Sequence, residues 1–209
     1  WGSLLGAISD PPRLALRFKS DILSWERTDD TIVESKYNVE PGTFMGFMLL
    51  IDTSTGELIG LLNDGNLQHV RVGATAGVAA KYLARENATT VGMLGSGGMA
   101  RTYLEAFDTV RDIEYVTVYS PTPDHRRAYA EEMERTRDLD VEAVDTPEKA
   151  VTDGDIAAAC TDTRSPVYVE DWLSPGTFVT NTVPTEFGDG VYEAADRVVL
   201  SGHTRSPVG

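Results

Sequence analysis

The segment at 91–107, VGMLGSGGMARTYLEAF, limits the fold more than any other part of this chain. A short apolar run reads as a buried strand, the glycine cluster as a tight turn, and the residues beyond carry helical apolar spacing. A buried strand feeding a helix through glycines opens a strand–helix–strand unit, and such units build parallel sheets covered on both faces. The chain downstream keeps this alternation. TVGML predicts a strand, 99–110 a helix, YVTVYS a strand and 123–137 a helix. VEAV and DIAAAC predict strands separated by a short helix from Pro147, and GTFVTN and DRVVL predict the last two strands.

Residues 1–64 read differently, as extended chain. TIVESKYNV (31–39) has strand composition, and FMGFMLLID, TSTG and ELIGLLND read as a hairpin around a glycine turn. Residues 69–84, HVRVGATAGVAAKYLA, predict a buried helix of small residues. The polar stretch RENATT marks a division near residue 86. The expected class is α/β: a smaller mixed α+β domain over 1–86, then a Rossmann-type parallel-sheet domain over 87–209.

In LGSGGMA, Gly95 and Gly97 match the first two glycines of G-x-G-x-x-G/A and Ala100 the last position. Gly95 allows the tight turn, Gly97 lets backbone N–H groups approach a pyrophosphate, and Ala100 lets helix and strand pack closely. The helix start adds orphan N–H groups and a positive dipole end. Ser96, Gly98 and Met99 complete the candidate dinucleotide cradle. NAD binders usually end the second strand with an acid on the ribose hydroxyls. Here Ser120 stands in that place, and Thr122, His125, Arg126 and Arg127 follow. Thr122 reads as a helix N-cap before Pro123. Arginines in a first helical turn oppose the macrodipole, and a bound 2′-phosphate would offset that. NADP is therefore the expected cofactor, with NAD as the alternative.

A net charge of −15 repels nucleic-acid backbones and anionic membranes, so neither is an expected partner. The same acidity fits a solvated surface or salt adaptation. Cys160 is the single cysteine, which excludes an intrachain disulfide and fits a reducing cytoplasm. The longest apolar run, FMGFMLLI at 44–51, is too short to span a bilayer. His69, His125 and His203 lack ligand spacing, so no metal site is expected. Trp1 at the start and SGHTRSPVG at the end are read as marks of a longer protein.

The run LLNDGNLQHVRVGATAGVAAKYLARENATTVGMLGSGGMARTYLEAF resembles the ornithine cyclodeaminase/mu-crystallin family, in which an Arg-bearing helix ending AAKYLA leads into a glycine turn. The resemblance implies a Rossmann domain, a second domain that binds substrate and dimerises, and activity on amino or imino acids. It also implies carboxylate-binding cations, matched by Arg13 in PPRLAL, Lys36 in ESKYNV and Arg71 in LQHVRVGA. A guanidinium can grip a carboxylate with two hydrogen bonds. The family's catalytic carboxylate follows N-A-V-G-G-D; NTVPTE places Asn181 on the Asn and Glu186 on the Asp, with Asp189 a nearby alternative. Thr161, Asp162 and Thr163 resemble a cofactor-contacting loop, as does Val183. Met99 replaces the family's usual Gln, and Val72 a usual Thr.

Three functions follow from the resemblance. The first is an NAD(P)H-dependent reductase of a small imino acid, with Lys36 or Glu186 handling the proton. The second is a cyclodeaminase that recycles bound NAD, against which the altered acid loop and the NADP-like strand end both weigh. The third is a cofactor-binding protein without catalysis. Homodimers are expected in each case.

Overall fold

The structure is a computed structural model that describes residues 2–27, 32–38 and 45–200. Thr31, Val39, Phe44 and His203, all named above, lie outside the described residues. The chain divides into two compact units, Trp1–Arg71 and Val72–Gly209.

The first unit contains a four-stranded antiparallel sheet and a separate hairpin. The sheet has the order β1-β2-β5-β6, from β1 (Gly2–Ser9), β2 (Pro12–Lys19), β5 (Gly46–Asp52) and β6 (Leu58–Asn63). The hairpin pairs β3 (Ile22–Arg27) with β4 (Ile32–Tyr37). The β5–β6 turn falls where TSTG predicts it. Gly56 there has φ +77, a conformation that costs glycine nothing, and its N–H donates to the Asp52 carbonyl at 2.8 Å.

Residues directly opposed across a ladder share a face. The row Leu5, Leu16, Leu49 and Leu61 therefore lies on one side of this sheet, together with Phe18, Phe47 and Leu58. Leu5 and Leu61 are 69% and 64% exposed, so this side presents an apolar surface. The other side carries Arg13, Arg17 and Asp52. Arg17 is buried, and its guanidinium donates to Asp64 and Gln68 at the start of α1 (Gly65–Leu83).

Helix α1 begins before residue 69. The Asn63 side chain accepts the Gly65 N–H at 2.9 Å, and the Asp64 carbonyl accepts from Gln68 at 2.7 Å. The division by compactness falls inside α1 rather than near residue 86, because the second half of α1 packs with the following domain.

The second unit is a five-stranded parallel sheet in the order β11-β10-β7-β8-β9. Its strands are β7 (Thr90–Leu94), β8 (Tyr115–Tyr119), β9 (Asp140–Ala143), β10 (Ile156–Ala159) and β11 (Phe178–Asn181). Counted within the unit this is 3-2-1-4-5, the Rossmann order, with its switch point between β7 and β10. Side chains alternate between two cores. Val91 and Met93 of β7 and Ile156 and Ala158 of β10 join one core with α1, α2 (Gly98–Val110) and α3 (Pro123–Arg137). Leu94, Ala157 and Ala159 face the other, with α4 (Pro147–Val151), Tyr168, Phe187 and Val191.

The small residues of α1 have a packing reason. A Cβ on Gly73 would stand 2.6 Å from the Thr102 carbonyl carbon, and one on Gly77 2.8 Å from Ala106 Cβ. Gly73, Ala76, Gly77 and Ala80 thus form the groove in which α2 lies. Arg111 fastens the end of α1. Its guanidinium donates to the carbonyls of Ala80, Lys81, Ala84 and Arg85 at 2.8–2.9 Å, tying together the last turn of the helix and the residues just beyond it.

DRVVL is not a strand. Among the described residues no ladder partner lies beside it, and Val198, Val199 and Leu200 are exposed. The short helix α5 (Asp189–Ala194), absent from the sequence-based expectation, precedes it.

Candidate functional site

The carboxyl ends of β7 and β10 flank the switch point, where ligands of such sheets bind. The turn after β7 is built around two glycines with different duties. Gly95 has φ +104, and a Cβ there would collide with the Cys160 carbonyl at the end of β10. Its N–H donates to the Tyr119 carbonyl at 2.8 Å, drawing the end of β8 against the turn. Gly97 has φ −85, and a Cβ there would meet no atom of the described residues within 4 Å. The protein's own packing therefore asks nothing of Gly97. Its bare Cα leaves open the cradle in front of the α2 N-terminus, where Gly98 and Met99 begin the helix and Ala100 is fully buried against the core. These features fit a dinucleotide pyrophosphate.

A brace for this turn escaped sequence reasoning. Arg101 Nη1 donates to the carbonyls of Ser96 and Gly97 at 2.6 and 3.0 Å. The same guanidinium bonds Glu132 of α3 at 2.6 Å and lies over the Tyr129 ring at 5.2 Å. With two turn carbonyls held by Arg101, the turn is fixed by protein contacts alone. Arg101 stands beside Ala100 in the motif, but its partners on α3 are distant in sequence and give no local signal.

At the end of β8, Ser120 is buried, accepts from the Ser96 hydroxyl at 3.0 Å and donates to the Thr122 carbonyl at 3.3 Å. Thr122 occupies the N-cap position of α3 with Pro123 after it, but its side chain makes no cap bond. The two arginines of the first turn separate. Arg126 Nη1 donates to the Ser120 carbonyl at 2.8 Å, and its guanidinium lies 5.6 Å over the Tyr119 ring. Arg127 pairs with exposed Asp124 at 2.9 Å, so that carboxylate offsets the charge which opposes the helix dipole.

Beyond β10, Thr161, Asp162 and Thr163 form a loop in which Thr163 accepts from the Ser165 N–H at 3.1 Å. A Cβ on Gly95 would lie 3.5 Å from Thr161 Cγ2, so this loop walls the glycine turn. Cys160 is buried, and burial pushes its thiol well above the usual range.

Glu186 departs from expectation. The residue matched to the family's catalytic carboxylate is fully buried, and both its oxygens are engaged. Oε1 accepts from the Thr161 N–H and hydroxyl at 2.6 and 2.7 Å. Oε2 accepts from the N–H groups of Thr182 and Val183 at 2.8 and 2.9 Å. A carboxylate has about four lone-pair sites, and four donors fill them. Burial pushes this carboxyl above its ordinary range, opposed by the same hydrogen bonds. Asn181 instead donates to the Tyr192 hydroxyl at 2.9 Å, and Asp189 is exposed at the start of α5.

The three expected carboxylate-binding cations all lie in the first unit. Arg13 pairs with Asp52 at 2.8 Å across β2 and β5. Lys36 pairs at 2.7 Å with buried Glu34, whose other oxygen accepts from Trp25 Nε1 at 2.9 Å. Arg71 is exposed, because the small residues of α1 make its buried face and Arg71 stands on the opposite one. Among the described residues no helix is long and apolar enough to cross a membrane, and no group of three or more His, Cys, Asp or Glu could hold a metal ion.

Comparison with known proteins agrees with this architecture. A Δ1-pyrroline-2-carboxylate reductase of Bacillus cereus is 35% identical over 140 residues, covering 67% of this chain and 43% of that protein. An alanine dehydrogenase of Archaeoglobus fulgidus is 29% identical over 184 residues, covering 84% of this chain and 56% of the relative. The chain thus spans about half the length of the curated relatives it matches. Among solved structures, Thermococcus litoralis Δ1-pyrroline-2-carboxylate reductase in complex with NADH and L-proline superposes with a TM-score of 0.67 at 27% identity. It covers 86% of this chain and 56% of that one. The sequence profile of the ornithine cyclodeaminase/mu-crystallin family matches residues 33–193. A Rossmann sheet with the glycine turn at its switch point and a profile match over most of the chain lead to one conclusion: the chain belongs to the ornithine cyclodeaminase/mu-crystallin family.

Proposed function

We propose that this chain carries the cofactor-binding part, and a portion of the substrate-binding part, of an NAD(P)H-dependent reductase of a small cyclic imino acid. The observation behind this reading is the glycine turn, in which Gly97, unlike Gly95, has no packing reason to be glycine. Gly95 to Ala100 would hold the pyrophosphate, Thr161 to Thr163 and Val183 would flank the cofactor beyond β10 and β11, and the bound reduced nicotinamide would supply hydride. Relatives named as reductases of Δ1-pyrroline-2-carboxylate support the substrate class.

NADPH is the preferred cofactor in this proposal. Ser120 replaces the acid that would repel a 2′-phosphate, and Arg126 is held at the same strand end. Lys36 and Arg71 are the proposed anchors of the substrate carboxylate, and Lys36 the proposed proton carrier. Arg13 serves the sheet through Asp52. The apolar side of the first sheet, with Leu5 and Leu61 exposed, supports a homodimer. The chain should bind NADPH in a fluorescence titration and oxidise it when given Δ1-pyrroline-2-carboxylate, forming proline in equal amount. Binding of neither reduced nicotinamide cofactor would overturn the proposal.

A further inference from the structure

We infer that Glu186 is a positioning residue, a buried latch that ties the loop after β10 to the loop after β11 and so fixes the wall of the cofactor cradle. The inference rests on the cofactor reading above, but its geometry is independent of it. Four donors from two chain segments converge on one carboxylate: Thr161 N–H and Oγ–H on Oε1, Thr182 N–H and Val183 N–H on Oε2. Glu186 itself sits in a short 3-10 turn, Pro184–Glu186, and its carbonyl accepts from Val167 and Tyr168 at 2.8 and 3.1 Å. One residue thus gathers three stretches of chain.

The consequence for the cradle runs through Thr161. Its methyl group borders the site of Gly95, and the neighbouring Cys160 carbonyl blocks any side chain there. Thr182 is fastened a second time, its N–H and hydroxyl donating to the Ala159 carbonyl at 3.0 and 3.2 Å. Of the two segments, the Thr161 loop depends more on Glu186.

The amide of Glu186→Gln exposes this asymmetry. A glutamine offers one acceptor oxygen and one donor NH2. Two fixed backbone N–H groups face the Oε2 position, so the oxygen settles there. The NH2 then faces Thr161, whose hydroxyl can turn to accept it but whose backbone N–H cannot. A buried donor left facing a donor corresponds to roughly a ten-fold or larger loss in an equilibrium that needs the loop in place.

The test uses the whole chain, with NADPH and NADH as probes. In Glu186→Gln the cofactor Kd should rise about ten-fold, while kcat at saturating cofactor and its pH profile stay as in wild type. Amide exchange should quicken at Thr161 and stay slow at Thr182 and Val183. An unchanged Kd with unchanged exchange at Thr161 would overturn the latch. A collapse of kcat by roughly a hundred-fold or more, with loss of a limb of the pH profile at unchanged Kd, would overturn it in favour of an acid–base role. If the Gln variant does not fold, Thr161→Val removes one of the four donors more gently. Faster amide exchange at Thr161 with slow exchange kept at Thr182 and Val183 then supports the latch, and unchanged exchange at Thr161 refutes it. If wild type binds neither cofactor, the functional proposal fails, and the exchange pattern still decides the latch.

Discussion

Replacing Gly97 should separate cofactor binding from folding. Its φ of −85 and ψ of −168 are open to any residue, and a Cβ there meets no atom of the described residues within 4 Å. Alanine at such a position restricts the unfolded chain and changes stability by about 1 kcal/mol or less in either direction. In the proposed cofactor site, the new methyl group would instead stand where the pyrophosphate approaches the N–H groups of the turn. Charge-assisted hydrogen bonds of that kind contribute about 1.5–3 kcal/mol each. Displacing one contact therefore raises the cofactor Kd roughly 10- to 150-fold, and Gly97→Val should raise it further. The assay is a fluorescence titration with NADPH, paired with thermal unfolding of each variant. Gly95→Ala is the contrast, since φ +104 and the Cys160 carbonyl make that change destabilising whether or not cofactor is present. An unchanged Kd in Gly97→Ala, or a fall in Tm as large as that of Gly95→Ala, would refute the reasoning.

If the proposed preference for NADPH over NADH holds, Arg126→Ala should remove it while Arg127→Ala leaves it in place, because Arg126 is held at the end of β8 and Arg127 pairs with Asp124; equal effects in parallel titrations would count against the assignment. Arg111→Lys should lower stability by roughly 2–3 kcal/mol in denaturant unfolding, since an ammonium cannot serve four carbonyls at once, and a loss below about 0.5 kcal/mol would contradict the fastening role. Burial alone would raise the Asp155 carboxyl, but hydrogen bonds from Thr89 and Thr90 and the charge of Arg85 outweigh it and hold the group below its ordinary value. Its contribution to stability is then present above pH ~3.9 and lost as pH falls through the lower folded value. Asp155→Asn should flatten the acid limb of the stability–pH curve, and an unchanged limb would exclude Asp155 as its source.

The second unit was legible because its signals are local. β7, α2, β8 and α3 each carry their own periodicity, and Pro123 and Pro147 mark helix starts that the structure keeps. DRVVL misled because strand composition cannot report whether a neighbouring strand exists. Glu186 misled for a related reason. A carboxylate next to a predicted site looks the same in sequence whether it faces ligand or four backbone and hydroxyl donors. Arg71 stands on a helix rich in Gly and Ala, and sequence alone does not tell that those residues serve α2 on the face opposite to it. The partners of Arg101 on α3 come together only through the fold, so pairwise contacts of this kind lie outside what one chain read in order can show.

The brace formed by Arg101, Glu132 and Tyr129 also bears on the thermodynamics of ligand capture. Fixing a flexible backbone costs about 1–2 kcal/mol per residue in conformational entropy. In this turn the ordering is complete once α2 and α3 have packed, since the carbonyls of Ser96 and Gly97 are already engaged. A dinucleotide arriving there meets a preorganised surface, so its association should be a single fast phase with a modest entropic penalty. Cutting the brace would move that penalty from folding into binding. Affinity would then fall through entropy, although no atom that touches the phosphates had been changed.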